Sequence, residues 1–550
     1  MAWNYGDVYE AVADKTPPGT PALIHAGPGG TEGRTIMWDE YMVRTNRLAR
    51  AFLDAGLEYG DKVAHYMRNC PAYMETLTAC FKSRMVHVNV NYRYRDDELH
   101  YIFDNSDSKV VVYSSEFREH VAALRDRLPK VNLWIEVPPE EDFDAPVADF
   151  AVNYENVVSQ GDGSKLGIER SGKDMFFIYT GGTTGMPKGV MWEHEAMWAA
   201  TGHGASLLNP DADPPATTEE HGDRVAALPL RAKLIPACPM MHGTAMLSAM
   251  NCHTQGGCIV TTPEHSLDAD ALWATIDRYK VNTIAIVGDA FAKPMLRCLD
   301  ENPGKYDISS MFGMLSSGVM WSPEVKQGLL KHNQNMILMD SFGASEAVGF
   351  GRSDTTAAGT TEVAKFTIGE ECKVFTEDYQ EVEPGSGVPG FIARSGAIPV
   401  GYYKDEEKTA KTFPVINGVR YSIPGDWCTV EKDGTLTLLG RGSVCINSGG
   451  EKIYPEEVEE TLKTHPAVED VLVVGVPDEK WGQAVTGVVK LHAGVNFNEQ
   501  ELRDWVKERL APYKAPKRVL PADIALRAAN GKADYKGASN FAKSTLGIAS

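Results

Sequence analysis

The stretch from Met175 to Met191 constrains the fold more than any other part of the chain. Met175, Phe176, Phe177, Ile178 and Tyr179 are apolar enough for a buried strand, and a second β-type run resumes at Val190, Met191 and Trp192. Between them lie Thr180, Gly181, Gly182, Thr183, Thr184 and Gly185, then Met186, Pro187, Lys188 and Gly189. Glycine permits backbone conformations that turn successive N–H groups toward an anion, and the hydroxyls and lysine add donors and charge. Two readings stay open: a polyphosphate cradle and a plain strand–turn–strand hairpin. A Walker-type loop is excluded, because that pattern needs Gly-Lys-Ser/Thr running into a helix, and here Gly189 and a β-type run follow Lys188.

Around this stretch the pattern alternates. Tyr41, Leu48, Phe52 and Leu53 recur at helical spacing, residues 61–67 read as a strand, Tyr73 to Met85 as a helix with Ala79, Cys80 and Phe81 inward, and residues 109–113 as another strand. Alternation resumes from Val225 to Val348, with strand-like runs at 283–287 and 336–339 and a helix from Asp268 to Tyr279. Such alternation predicts an α/β fold with a largely parallel sheet. The acidic, Pro-containing segment from Asn209 to Asp223 reads as a solvated surface loop. Beyond Gly387 short strands and turns predict a β-rich subdomain, and after Leu439 to Val444 a compact α+β pattern begins. There Pro455 opens a helix with acidic residues in its first turn, and Asn498 caps another. With 550 residues the chain exceeds the roughly 250–300 at which one core stops growing. The expected division is a large N-terminal domain over 1–441 and a small, mobile C-terminal domain over 442–550.

A formal net charge of −21 argues against non-specific nucleic-acid binding, and anionic substrates must meet local cations instead. The nine cysteines are dispersed without a Cys-x-x-Cys pair or zinc spacing, as expected of reduced cytosolic thiols. The N-terminus lacks a basic, apolar leader pattern, and no apolar run approaches ~18 residues, so neither a signal peptide nor a membrane-spanning helix is expected. These absences point to a cytoplasmic location. A homodimer is left open.

Several further motifs accompany the loop: His242 in Ile235 to Ala245, Glu346 in Asp340 to Glu346, Asp426 after Gly425, Gly440-Arg441, Ser448 to Pro455 and Asn530-Gly531-Lys532. In order and spacing they resemble the adenylate-forming, AMP-binding superfamily of acyl-CoA synthetases, peptide-synthetase adenylation domains and luciferases. The resemblance covers nearly the whole chain, and its strings at 179–192, 401–410 and 440–459 look like the branch of steroid side-chain and fatty acyl-CoA ligases.

The resemblance implies a two-step reaction. A carboxylate attacks the α-phosphate of Mg-ATP to give an acyl-adenylate and pyrophosphate, and the thiol of coenzyme A then displaces AMP. Bringing two anions together makes positioning and charge neutralisation the central problem. By the same resemblance Thr180 to Gly185 and Lys188 hold the β- and γ-phosphates, and Glu346 organises Mg²⁺, a hard cation suited to carboxylate and phosphate oxygens. Ser345 faces the α-phosphate; Ser317, Gly318, Phe342 and Gly343 flank adenine; Asp426 accepts the ribose hydroxyls; Arg441 lies near ribose or phosphate. Lys532 bridges the acyl carboxylate and α-phosphate, His242 gates the acyl tunnel, and Gly449 and Gly450 wall the pantetheine tunnel. Met241, Gly243, Gly288 and Ala290 would line the acyl pocket. The hinge falls at Ser443, where the family usually has Asp or Lys, and Val444 replaces a common Asp.

Duller readings accompany these. Asp426, Arg441 and Lys532 could be turn or surface residues, Gly449-Gly450 a plain turn, and His242 and the methionines packed core. The absence of a carrier-like segment after Lys532 favours coenzyme A as acceptor. A bulky apolar acid such as a steroid side-chain acid is expected, with a medium- or long-chain fatty acid as the alternative. A non-catalytic nucleotide or acyl binder and a luciferase-like oxygenase are the competing classes.

Overall fold

Strands and helices alternate through the first part of the chain as the apolar pattern predicts. The computed structural model describes residues 3–94, 96–180, 186–204, 213–318, 321–359, 365–441, 444, 446–448, 451–478, 481–510, 512–528 and 533–548. The chain divides into two units, one of Met1–Thr361 with Ser395–Ser422, the other of Glu362–Arg394 with Ile423–Ser550.

Among the described residues the first unit holds two large sheets and a two-stranded pair, Val415–Ile416 with Val419–Arg420. One has eight strands in the order Gly401–Tyr402, Lys188–Glu193, Met175–Thr180, Val86–Asn89, Lys62–Tyr66, Ser108–Ser114, Leu133–Val137 and Val152–Asn153. Pairing is parallel from Met175–Thr180 onward and antiparallel at the two strands before it. In the other, a parallel run joins Ile337–Ala344, Gly313–Ser317, Thr283–Ile286, Lys233–Pro236, Cys258–Thr261 and Pro21–Gly27, with antiparallel neighbours Ala347–Thr355 and Thr31–Met37 at its ends.

One apolar core takes Val63, Val110 and Phe176 from the first sheet, Leu23, Leu234 and Ile259 from the second, and residues of the helices Tyr5–Lys15, Trp38–Asp54, Pro71–Ser83 and Gly243–Thr254. The helix Pro71–Ser83 is buried along its whole length, which obliges its charged residues to find partners. Glu75 pairs with Arg44 and accepts the Tyr154 hydroxyl at 2.9 Å. Lys82 donates to Thr45 Oγ1 and Asn46 Oδ1, both at 2.8 Å.

One expectation is corrected. The segment read as loop through Asp223 turns helical at Thr218–Ala226. Thr217 accepts the Glu220 N–H at 3.0 Å as N-cap, Glu219 and Glu220 suit the helix dipole, and His221, Gly222 and Val225 are buried. Gly222 lies against the Ala11 carbonyl of the first helix, and Asp223 pairs with Lys15 at 2.6 Å. Acidic composition hid a helix whose burial depends on a distant partner.

The second unit combines an antiparallel run, Cys372–Phe375, Gly390–Arg394, Asp426–Val430, Leu436–Arg441 and Lys365–Ile368, with an α+β region. In the latter Val468–Asp478, Gly482–Leu491 and Ile446–Ser448 pair antiparallel, and Arg518–Pro521 adds parallel to Gly482–Leu491. The helices Pro455–Lys463 and Glu499–Lys507 contribute to one apolar cluster on this sheet, and Tyr535–Thr545 to another. Asn498 accepts the Glu501 N–H at 3.3 Å, the cap the sequence predicts.

Candidate active site

The loop stretch is an antiparallel hairpin, with Thr180 opposite Lys188 and Phe176 opposite Trp192. Gly181, Gly182, Thr183, Thr184 and Gly185 lie outside the described residues. The Lys188 ammonium pairs with the carboxylate of Asp405, whose other oxygen accepts the Lys408 N–H at 2.9 Å and caps the helix Glu406–Thr412.

Ser345 and Glu346 form the turn between two antiparallel strands, Ile337–Ala344 and Ala347–Thr355. Among the described residues three side-chain hydrogen bonds hold this turn. The Trp192 indole N–H donates to the Ser345 carbonyl at 2.8 Å, the Ser422 hydroxyl donates to the Glu346 carbonyl at 2.6 Å, and the Tyr402 hydroxyl donates to Glu346 Oε1 at 2.6 Å. Tyr402 also pairs through its backbone with Val190, two residues beyond Lys188. The structure therefore brings Lys188, Ser345 and Glu346 to neighbouring elements of one sheet edge and hairpin. A carboxylate anchored through one oxygen suits a hard divalent cation shared with phosphate, since Mg²⁺ takes one or two protein carboxylates and rigid geometry.

Before this turn, the chain passes close to itself. The register between the two strands shifts between Phe342 and Ala344, where Val348, Gly349 and Phe350 of the facing strand stand opposite Gly343 alone. A Cβ at Gly343 would lie 3.1 Å from the Gly349 nitrogen and 3.2 Å from the Ala347 oxygen, so a side chain there needs the facing backbone to give by a few tenths of an ångström. Phe342 is buried, its ring centroid 5.3 Å from that of Phe350. Ser317 pairs with Ser341 in the adjacent parallel strand. Gly318 follows with φ of +85°, and among the described residues a Cβ there would meet nothing within 4 Å, which leaves an open face beside the strand end.

The residues expected around the acid occupy two places in the first unit. Met241 is buried, while Met240 belongs to the main core. His242 is the half-buried N-cap residue of the helix Gly243–Thr254, although its side chain makes no capping bond. Gly243 is half-buried. Gly288 starts the helix Gly288–Glu301 and donates its N–H to Ser316 Oγ at 2.9 Å, next to the strand of Ser317; Ala290 is exposed.

In the second unit, buried Asp426 opens its strand opposite Arg441 in the antiparallel register. Glu456, on the first turn of Pro455–Lys463, lies against Gly440. Burial, with Glu459 and Asp426 nearby, pushes the Glu456 carboxyl up to about 8. Ser443, Gly449, Gly450 and Lys532 lie outside the described residues.

Sequence reasoning missed Trp192, Tyr402, Asp405, Ser422 and Asn89. Tyr402 and Asp405 sit in a string that carried a family signal, yet nothing local marks them as partners of Glu346 and Lys188. Asn89 lies outside every element read from the sequence; in the structure it bonds to both Tyr179 and Met241.

The AMP-binding enzyme family matches residues 9–403, and the AMP-binding enzyme C-terminal domain matches residues 457–532. A 3-oxocholest-4-en-26-oate–CoA ligase of Rhodococcus rhodochrous is 42% identical over 548 residues, covering 98% of this chain and 96% of that protein. A medium/long-chain-fatty-acid–CoA/3-oxocholest-4-en-26-oate–CoA ligase of Mycobacterium tuberculosis is 39% identical over 542 residues, with 98% and 96% covered. Among solved structures, the anthranilate CoA ligase AuaEII in complex with anthranoyl-AMP superposes with a TM-score of 0.82 at 19% identity, covering 100% of this chain and 99% of that one. ATP-bound MatB from Rhodopseudomonas palustris gives 0.79 at 21% identity, covering 99% and 100%. At such identities the two structures speak for the fold alone. The matched family spans most of the chain and the relatives are similar over nearly all of it: the chain belongs to the AMP-binding enzyme family, and it is an acyl-CoA ligase.

Proposed function

We propose that this ligase activates a bulky apolar acid, either a steroid side-chain carboxylate or a medium- to long-chain fatty acid. Its reaction uses ATP, Mg²⁺ and coenzyme A. The observation that carries the site reading is the Ser345–Glu346 turn, held by Trp192, Ser422 and Tyr402 beside the hairpin of Lys188. Glu346 would hold the magnesium through its second carboxylate oxygen, Ser345 would meet the α-phosphate, and Lys188 would exchange Asp405 for phosphate oxygens. The loop of residues 180–185 would cradle the β- and γ-phosphates. The open face at Gly318, with Ser317, Phe342 and Gly343, suits a planar base. Asp426 would accept the ribose hydroxyls and Arg441 would lie near ribose or phosphate.

Lys532 would neutralise charge between the acid and the α-phosphate during the first step. Gly449 and Gly450 would flank the pantetheine arm in the second, after a domain of residues 442–550 turns about a hinge near Arg441–Ser443. Met241, Gly243, Gly288 and Ala290 would shape the acid pocket, with His242 at its gate; pliable methionine suits an apolar guest. The choice of acid rests on relatives whose names carry 3-oxocholest-4-en-26-oate and medium- and long-chain fatty acids. We place the enzyme in the cytoplasm. Among the described residues no helix is long and apolar enough to cross a membrane.

The deciding experiment measures pyrophosphate release and thioester formation with Mg-ATP, coenzyme A and a panel of acids. Steroid carboxylates and fatty acids of graded length are compared. Highest kcat/KM on a steroid acid is the expected result; turnover confined to short or aromatic acids would overturn the substrate reading.

A further inference from the structure

Asn89 ends the strand Val86–Asn89, which lies between Lys62–Tyr66 and Met175–Thr180 in the eight-stranded sheet. Its side chain is buried and its amide is fully engaged. Oδ1 accepts the Tyr179 N–H at 2.7 Å, and Nδ2 donates to the Tyr179 carbonyl at 2.9 Å and to the Met241 carbonyl at 2.6 Å. One amide thus extends the ladder past the Val88–Phe177 rung and ties it to a segment 152 residues away in sequence. Tyr179 immediately precedes Thr180, and Met241 immediately precedes His242.

The chemistry of the position is restrictive. Two carbonyls require two donors and one N–H requires an acceptor, which a primary amide supplies at once. Aspartate keeps the acceptor but turns an oxygen toward two carbonyl oxygens. Alanine leaves three buried backbone groups without this partner, each costing about 1–3 kcal/mol.

Each end of the link has other support. Asn69 accepts the Met240 N–H at 2.7 Å and donates to the carbonyls of Pro236 at 2.8 Å and Cys238 at 2.9 Å, and the Tyr73 hydroxyl donates to the Met240 carbonyl at 2.9 Å. The Tyr179 hydroxyl donates to Asn105 Oδ1 at 2.9 Å. The wall before Met241 and the strand before Thr180 therefore have anchors of their own, and Asn89 adds a bond between them.

We infer that Asn89 is a positioning residue that fixes the spacing between the phosphate-loop strand and the acid-pocket wall, so that acid and nucleotide bind with linked affinities. The inference rests on the site reading given above, in which the loop meets ATP and Met241 meets the acid. Linkage of this kind is reciprocal: whatever factor the acid applies to nucleotide affinity, the nucleotide applies to the acid.

The test measures the Kd of magnesium α,β-methylene-ATP by calorimetry, alone and with saturating 3-oxocholest-4-en-26-oate or palmitate. In the wild-type enzyme the better acid should tighten nucleotide binding by roughly fivefold or more. In Asn89→Asp the linkage factor, the ratio of nucleotide Kd without and with acid, should fall toward one, and any change in the nucleotide-alone Kd cancels in that ratio; Asn69→Ala should weaken acid binding yet keep the linkage. A wild-type enzyme without linkage to either acid overturns the inference and needs no variant. Equal loss of both affinities in Asn89→Asp with the factor preserved also overturns it, since that marks a purely structural role. Met241→Trp separates the underlying reading: a changed acid profile supports the wall assignment, and an unchanged one removes the wall assignment and the inference together.

Discussion

At the residue scale, the site depends on hydrogen bonds that no short motif encodes. Tyr402 reaches Glu346 across 56 residues and keeps its ring against Phe413 and the Lys408 ammonium. Tyr402→Phe preserves that packing and removes one bond to a carboxylate, an interaction worth about 1.5–3 kcal/mol. We predict a loss of roughly 10- to 100-fold in kcat/KM for adenylate formation, accompanied by a raised Mg²⁺ requirement, read from pyrophosphate exchange across a magnesium titration. An unaltered magnesium dependence would show that the hydroxyl does not orient Glu346. The partners were illegible for a physical reason. Glu346 and Lys188 sit in compact strings whose composition suggests charge handling, whereas a tyrosine or asparagine acquires its role only from what the sheet order sets beside it.

At the element scale, the turn carrying Ser345 and Glu346 sits beside a register shift in which Gly343 faces three residues of the returning strand. Gly343 is flanked by backbone atoms of its partner strand, and backbone yields less readily than the tip of a side chain. Gly343→Ala should therefore cost about 1–3 kcal/mol by overpacking and displace the turn. Thermal unfolding and nucleotide affinity should both fall; an unchanged melting temperature with full affinity would contradict the close approach. Periodicity made the strand of Met175 to Tyr179 and the helix opened by Pro455 readable, and residue type made the Asn498 cap readable. Periodicity failed at Thr218–Ala226, because a short acidic helix burying His221 and Val225 against the N-terminal helix resembles a solvated loop until its partner is present.

At the scale of the whole molecule, the two units carry buried titratable groups of opposite sign. Burial lowers His25 and His253 to about 4 and His87 and His194 to about 3, all in the first unit. Below the ordinary histidine value of about 6.5 the unfolded chain takes up protons that the folded unit refuses, so stability falls with pH there, by up to ~1.4 kcal/mol per group per pH unit. In the second unit burial pushes Glu459 up to about 7 and, with Glu459 and Asp426 adding repulsion, Glu456 up to about 8. These groups keep protons that the unfolded chain releases above about 4.5, so their contribution is lost as pH rises from there toward 8. Calorimetry at about pH 5.5 and about pH 8 should resolve this, with Glu456→Gln raising the melting temperature of the second unit chiefly at the higher pH. Parallel shifts of both units would refute the assignment.

The long-range logic of the reaction gives the remaining prediction. Lys532→Ala should abolish pyrophosphate release yet spare thioester formation from a synthetic acyl-adenylate. Equal loss of both steps would remove its proposed role in the first.

The order of strands and helices, the Gly/Thr loop with its lysine, and the succession from His242 to Lys532 are properties of the sequence alone, because periodicity and local donor density need no neighbours in space. They determine an α/β AMP-binding enzyme. Only the tertiary structure decides that Lys188 meets Asp405, that Tyr402 and Ser422 steady Glu346, and that Asn89 joins Tyr179 to Met241. Those contacts depend on which strands lie side by side, and strand adjacency is set by the packing of a core assembled from the whole first unit.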